Sequence, residues 1–239
     1  MGGSRMNTER LKELFAFLAG HGSIEELAAQ ETGKHMIIEA VPEAEVMFGF
    51  DQHSPWHCYD LWTHTAKTVD GLDDGLPEDL YRKLRIAAFF HDIGKPDTAM
   101  PKKTEDGSQH WSYPNHADRS AEISAPYLKE LLPEEEVNEI MFYIAGHDLF
   151  MNLNENLDPS HRNYLNAANV RRLISRQKEL YPEFECSPEE FRRMMFLSEA
   201  DEAAHKEIVY EPDGSVKDTR EAMVRRTVVI RKILKEELM

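Results

Sequence analysis

Apolar positions recur with the period of a helix along nearly the whole chain. Leu11, Leu14, Phe15 and Leu18 stand at i, i+3, i+4 and i+7, marking an amphipathic helix that stops near Gly20 and Gly22. The same periodicity predicts helices over about 23–30, 59–71, 77–92, 116–132, 134–147, 162–180, 188–206 and 219–237. Strand-like alternation is almost absent, so the expected fold class is all-α, a helical bundle. Three stretches break the pattern. Residues 93–115 (IGKPDTAMPKKTEDGSQHWSYPN) carry three prolines and two glycines and read as a long loop with a small hairpin about Asp106 and Gly107. Loops this long in compact domains are commonly functional. The other two are 152–160 and the EPDGS segment at 211–215, which separates the last helix from the rest.

Polar residues inside the apolar stripes change the picture. In the helix at 77–92, Leu80, Leu84, Ala87, Ala88 and His91 share one face, and Asp92 extends the row of 84 and 88. His116 begins a stripe continued by Ser120, Ile123, Ser124, Tyr127 and Leu131. His64 follows Leu61 by three residues, His147 follows Ile144 by three, and Asp201 follows Met194 by seven, so all three point inward. A single inward histidine is most often a hydrogen-bonded core residue. Inward carboxylates are another matter, because an ionised carboxylate buried without a partner is strongly penalised. A cation is required, and no inward Lys or Arg stands out on these faces. Four imidazoles and two carboxylates, brought from separate helices or helix ends, make a natural site for a divalent metal.

Charge and composition narrow the function classes. The 239 residues suit one large domain, and 28 basic against 44 acidic side chains give a net charge of −16. That acidity argues against long nucleic acids and against an acidic membrane surface as partners. The longest apolar runs, Leu14 to Ala19 and Ile140 to Ala145, fall far short of the ~18–20 residues of a membrane span. The opening MGGSRMNTER lacks the apolar core of a signal peptide, and Cys58 with Cys186 cannot build a disulfide framework. A soluble, cytoplasmic protein is expected.

The adjacent His91 and Asp92 in FFHDIGKP, His64 in YDLWTHT and Asp201 in LSEADEAAHKE together resemble the HD-domain superfamily of metal-dependent phosphohydrolases, with its ordered pattern H…HD…D. The chain is most similar to the HD domain appended to bacterial CCA-adding tRNA nucleotidyltransferases. That likeness lies in FDQHSPWHCYDLWTHT, HDIGKPDT, the loop through His110 to His116, and MFYIAGHD, and covers about residues 45–205. Residues 1–44 are too few to house a nucleotidyltransferase domain, so CCA addition is not the expected activity. The expected organisation is an N-terminal helical extension over 1–44, an HD domain over 45–210, and a C-terminal helix over 211–239 packed on the same core.

The resemblance implies that His64, His91, Asp92 and Asp201 hold a first ion, with Asp92 bridging to a second held by His116 and His147. Branches with only four ligands bind one ion, so one or two are expected. The HWSYPNH spacing leaves His110 as the alternative to His116. Imidazole and carboxylate donors favour Mn, Fe, Co, Ni or Zn over Mg or Ca. Such ions would activate a hydroxide for attack on phosphorus in a phosphomonoester or phosphodiester of a nucleotide or similar small molecule. Asp92 and Lys95 are then the catalytic candidates, and Lys95, Arg119 and His57 the substrate-binding ones. The plainer readings are a solvated lysine at a helix end, an exposed helical arginine and a polar loop histidine.

Several residues stay outside this scheme. His53 shares the expected pocket mouth with His57, while His21, His35 and His161 have no spacing argument behind them. His205, four after Asp201, either supports the site or lies on a helix surface. Arg225, Arg226, Arg231, Lys232 and Lys235 read as a solvated basic face opposite Met223, Thr227, Ile230 and Leu234. Cys58 reads as a half-buried structural thiol. Specificity is expected within 49–58 and 96–115. The competing function is a non-catalytic nucleotide-binding sensor, against which stand the four retained core positions; the oligomeric state is left open.

Overall fold

Side-chain caps set several helix starts. In the computed structural model, which describes residues 6–236 apart from 55, 104–108, 183, 185, 206–208, 211–215 and 218, α1 (Thr8–Leu18) begins where Asn7 accepts the Arg10 N–H. Ser23 caps α2 (Ile24–Ala29), Asp60 caps α4 (Leu61–Asp70), and Ser187 with Pro188 at the first position opens α10 (Pro188–Ala203). Between them run α3 (Glu31–Ala40), a 3-10 turn at Pro42–Met47, α5 (Glu78–Phe90), α6 (Lys95–Thr98), α7 (His116–Leu131), α8 (Glu134–Gly146) and α9 (Ala167–Leu180). The last helix is α11 (Thr219–Glu236).

The architecture is the expected all-α bundle, with three local differences. Helix α3 was not legible in the sequence, because Gly33 and Thr32 weaken helix propensity. Packing overrides propensity there: Gly33 lies so close to the Leu27 carbonyl that no Cβ would fit, which brings α2 against α3. The predicted helix at 162–180 starts only at Ala167, where Asn166 caps it by accepting the Asn169 N–H at 2.8 Å. The preceding residues instead pair with the 152–160 stretch through Asn154 N–H to Asn163 O and Leu165 N–H to Asn154 O. Finally, the 93–115 loop contains α6 and an antiparallel hairpin of β1 (Met100–Lys103) and β2 (Gln109–Ser112). Its register, Lys103 opposite Gln109, is centred on Asp106, although the turn at 104–108 lies outside the described residues. The 211–215 segment also lies outside them, flanked by the short pair β3 (Val209–Tyr210) and β4 (Val216–Lys217).

Helix α5 is the core's central element, packed against α1, α4, α7, α8 and α10. Leu84, Phe89 and Phe90 from α5, Ile140 and Phe142 from α8, and Phe191 and Met194 from α10 are buried in one apolar cluster extending from Leu11 to Leu234. Arg85 is buried with them, donating to Leu18 O, Gly22 O and the Tyr81 hydroxyl. It therefore satisfies carbonyls left open where α1 ends and anchors that segment to α5.

Helix α11 packs on α10 through buried Ile230, Ile233 and Leu234. Its basic face is not wholly solvated. Arg226 donates to Met151 O and pairs with Glu202, and Arg231 pairs with Glu199 at 2.8 Å while lying 4.4 Å over the Phe196 ring. Arg225, Lys232 and Lys235 are exposed as expected, while the side chain of Met223 lies outside the described ones. No described helix is long and apolar enough to cross a membrane.

Candidate metal centre

Helix ends aim the histidines. His91 caps α5 and His147 caps α8, and each ring donates Nδ1–H to the carbonyl three residues back, Ala88 O and Ile144 O, at 2.7 Å. His116 repeats the device at the start of α7, donating to Tyr113 O at 2.9 Å. His64, inside α4, reaches instead across the core to Ala204 O at 3.3 Å. With Nδ1 committed as donor, each ring when unprotonated presents its lone pair at Nε2, and the four Nε2 atoms converge. His64 Nε2 and His91 Nε2 are 3.3 Å apart, as are His116 Nε2 and His147 Nε2.

Asp92 stands between the two histidine pairs and gives one oxygen to each. Its Oδ2 lies 3.2 Å from both His64 and His91, and its Oδ1 lies 3.3 Å from His116 and 3.7 Å from His147. Asp201, carried in by α10, puts Oδ1 3.0 Å from His64 and 3.6 Å from His91. Asp92 Oδ1, Asp92 Oδ2 and Asp201 Oδ1 are buried and accept no hydrogen bond among the described residues. Buried lone pairs facing one another and orphaned carboxylate oxygens are unfavourable unless a cation lies among them. The donors therefore fit divalent metal in two groups, His64, His91, Asp92 and Asp201 in one, Asp92, His116 and His147 in the other.

The electrostatics of the site point the same way. Burial opposes ionisation of Asp92, yet His91 and Lys95 hold its carboxyl well below the usual range. Burial likewise opposes Asp201, which His205, His64 and His91 keep ionised. At His91, burial disfavours the proton, but Asp92 and Asp201 overcome that and raise the pKa to about 10. Both carboxylates thus strongly favour positive charge at this point of the core.

One glycine makes the assembly possible. A Cβ on Gly94 would fall 2.7 Å from Ser120 N and 2.8 Å from His116 O, while the Gly94 N–H donates to Ser120 Oγ at 2.9 Å. The segment after Asp92 can therefore lie directly on the first turn of α7 and set His116 beside Asp92.

The remaining candidates separate clearly. Lys95 is buried, not solvated: its ammonium lies 2.6 Å from Asp92 Oδ2, off the line of a hydrogen bond, and donates to Gln52 Oε1 at 2.9 Å. His57 Nε2 is 3.5 Å from Lys95 Nζ, and burial together with the Lys95 charge lowers the His57 pKa to about 2. Arg119 is not brought to the cluster. Its guanidinium is held at the surface by Asp97 at 2.7 Å and Glu122 at 3.0 Å, because α6 interposes an acidic partner. His110 pairs with Lys102 across the hairpin and is absent from both donor groups, whereas His116 belongs to one. His53 has an exposed ring 3.2 Å from Asp51, and Cys58 is exposed, not half-buried.

Two participants were weakly signalled in the sequence or not at all. His205 faces inward, 3.4 Å from Asp201 Oδ1 and with its ring 4.4 Å from that of His57, so the surface reading of it fails. The i, i+4 spacing from Asp201 was the available signal. Gln52 had none, since a loop glutamine reaches Lys95 only through the fold. His21 stacks on Tyr81, His35 lies 3.8 Å from Glu31, and His161 is exposed.

No curated protein matches the chain. The HD domain family model matches residues 57–180, just over half of the sequence, and spans five of the six clustered histidines and aspartates. Asp201 comes from beyond the matched segment, delivered by α10 against α4 and α5. With the paired His91 and Asp92 at the centre of an all-α bundle and every partner of the H…HD…D pattern in contact, the chain belongs to the HD-domain family, whose members are generally metal-dependent hydrolases.

Proposed function

We propose that this protein is a metal-dependent phosphohydrolase that cleaves a phosphomonoester or phosphodiester of a nucleotide or similar small molecule, using two divalent transition ions. The observation that carries the reading is the division of Asp92, whose two oxygens each face a separate pair of Nε2 lone pairs. A carboxylate placed this way would serve both ions of a two-metal phosphohydrolase site. His64, His91, Asp92 and Asp201 would hold one ion and Asp92, His116 and His147 the other. Bound ions would supply Lewis-acid charge for the phosphoryl oxygens and an acidified water at neutral pH.

The chain's own groups do the rest. The carbonyl partners of Nδ1 lock all four imidazoles in one tautomer, so no ring must reorganise when a ligand is taken up. Lys95 places a fixed positive charge beside the cluster, where it offsets the carboxylates and offers a donor to a phosphoryl oxygen. Neutral His57 accepts from that ammonium and orients it together with Gln52. The motif likeness to the HD domain of CCA-adding enzymes supports a substrate of nucleotide size, and the cytoplasm is the proposed setting.

The test is elemental analysis of the purified protein with hydrolysis assays across Mn, Co, Ni, Zn and Mg. About two transition ions per chain and turnover of nucleoside monophosphates, both lost in His64→Ala, are expected. A protein that takes up no ion, or one that hydrolyses phosphate esters equally well as His64→Ala, would overturn the assignment.

A further inference from the structure

Beside the second donor group lies a cleft of about 400 Å3, in the size range of a small-ligand pocket. His116 and Asp148 lie on one side, Leu149, Leu153 and Leu173 supply apolar surface, and Arg162, Arg172 and Arg176 line the wall formed by α9 and the segment before it. These arginines differ from most of the other described arginines. Arg10, Arg82, Arg119, Arg192, Arg193 and Arg231 each pair with a carboxylate. Among the described residues, Arg162, Arg172 and Arg176 form no ion pair within 4.0 Å, in a chain with 44 acidic and 28 basic residues.

Their placement is fixed by the fold. The Arg172 guanidinium donates to the carbonyl of Arg162 at 2.7 Å, which ties the 162 segment to the first turns of α9. Arg176 follows Arg172 by one helical turn and therefore shares its face. The acidic groups of the cleft do not consume this charge. Asp118 feels Arg176 at a distance while accepting from the Tyr181 hydroxyl, and Asp148 faces His116 and His147. Exposed arginines lining one cleft without carboxylate partners favour an anionic ligand, which they grip through forked hydrogen bonds.

We propose that this arginine wall binds a second anionic group of the substrate, so that the molecule cleaved at the metal centre is a phosphate ester carrying a second, separate anionic group. The inference rests on the phosphohydrolase reading: the scissile phosphoryl group lies at the His/Asp cluster and the second group, a phosphoryl or a carboxylate, lies against Arg162, Arg172 and Arg176. Specificity then resides on α9 and the loop before it, beyond the 49–58 and 96–115 segments that the sequence pointed to.

The test uses the full chain loaded with Mn2+ and compares adenosine 3′,5′-bisphosphate with adenosine monophosphate. The unmodified protein should prefer the bisphosphate in kcat/KM, and Arg172→Ala or Arg176→Ala should each lower that preference by about tenfold. An unchanged preference in both variants overturns the proposal. Because Arg172 also braces the 162 carbonyl, Arg176→Ala, which has no such bond among the described residues, separates recognition from loop support. Calorimetric binding of the bisphosphate is read in parallel. Binding that depends on Arg176 with no hydrolysis under any metal supports the anion site and sinks the hydrolase reading; hydrolysis with no dependence on Arg176 does the reverse. Comparing 3-phosphoglycerate with glycerol 3-phosphate distinguishes the sources: a larger Arg176 dependence for this pair assigns the wall to carboxylates, and a larger one for the nucleotides assigns it to phosphoryl groups.

Discussion

Helices α8 and α10 each contribute to two ionic clusters, one partly exposed and one buried, and the clusters have opposite characters. From the middle of α8 and the start of α10, the Tyr143 hydroxyl bonds Glu139 at 2.7 Å and Glu190 at 2.9 Å, Lys83 pairs with Glu139 at 2.7 Å, and Arg193 pairs with Glu190 at 2.9 Å. Burial and the two carboxylates hold the Tyr143 phenol above its ordinary range, so it stays a donor. Each carboxylate there meets a cation and a hydroxyl, and the network closes on itself. At the far end of the same helices, His147 and Asp201 join a cluster with three orphaned carboxylate oxygens and four converging lone pairs. The first arrangement is complete as a structural brace. The second is incomplete as protein, and its shape makes sense with a cation inside it.

Changes to the two clusters should therefore separate function from stability. The largest effect is expected from Asp92→Asn, which weakens both donor groups at once: phosphatase activity falls by about a thousandfold and metal content drops to near zero, with helical circular dichroism retained. Elemental analysis on the folded variant checks this, and retained metal would break the contrast. Glu139→Ala is its counterpart. It should cost about 2 kcal/mol in urea unfolding, less than for a fully buried pair because both side chains are partly exposed, while metal content stays at the level of the unmodified protein.

A pH series sharpens the comparison further. His91 has its pKa raised from 6.5 to about 10, so in chelated protein its stabilising contribution is fully present below 6.5 and is lost as pH rises through 10. A metal ion on Nε2 replaces that proton. The melting-temperature gap between reloaded and chelated protein should widen from pH 6.5 to pH 9.5, and a gap that narrows with pH would contradict the assignment of His91 as a ligand. The smallest effect is expected at Arg119→Ala, which removes exposed pairs to Asp97 and Glu122: activity should stay within about twofold and stability within about 0.5 kcal/mol. A tenfold rise in KM there would restore the phosphate-clamp role that the surface pairing removes.

Much of the site was legible because burial leaves a mark on sequence. His91, Asp92, His116 and His147 interrupt apolar stripes, and polar residues in stripes are costly enough to need a partner. Where a residue's role depends on a neighbour distant in sequence, the stripe says little. Arg119 has a suitable spacing from His116, yet Asp97 on α6 captures it. Lys95 read equally well as solvated, and only Gln52, 43 residues earlier, shows that it is enclosed. His205 faces inward because His64 of α4 and the 49–58 loop lie against it just past the end of α10, a fact the local sequence does not encode.

The sequence by itself determined the helical class, most helix positions, the hairpin centred near Asp106 and the six residues that converge, because amphipathic periodicity and the cost of buried charge act within a few turns of chain. Tertiary structure decided which oxygen of Asp92 faces each histidine pair, which cations are engaged at the surface, and which arginines are left to line the cleft beside His116. Those outcomes depend on distances of a few ångströms between segments up to 140 residues apart, as between His64 and Ala204, and no local pattern carries them.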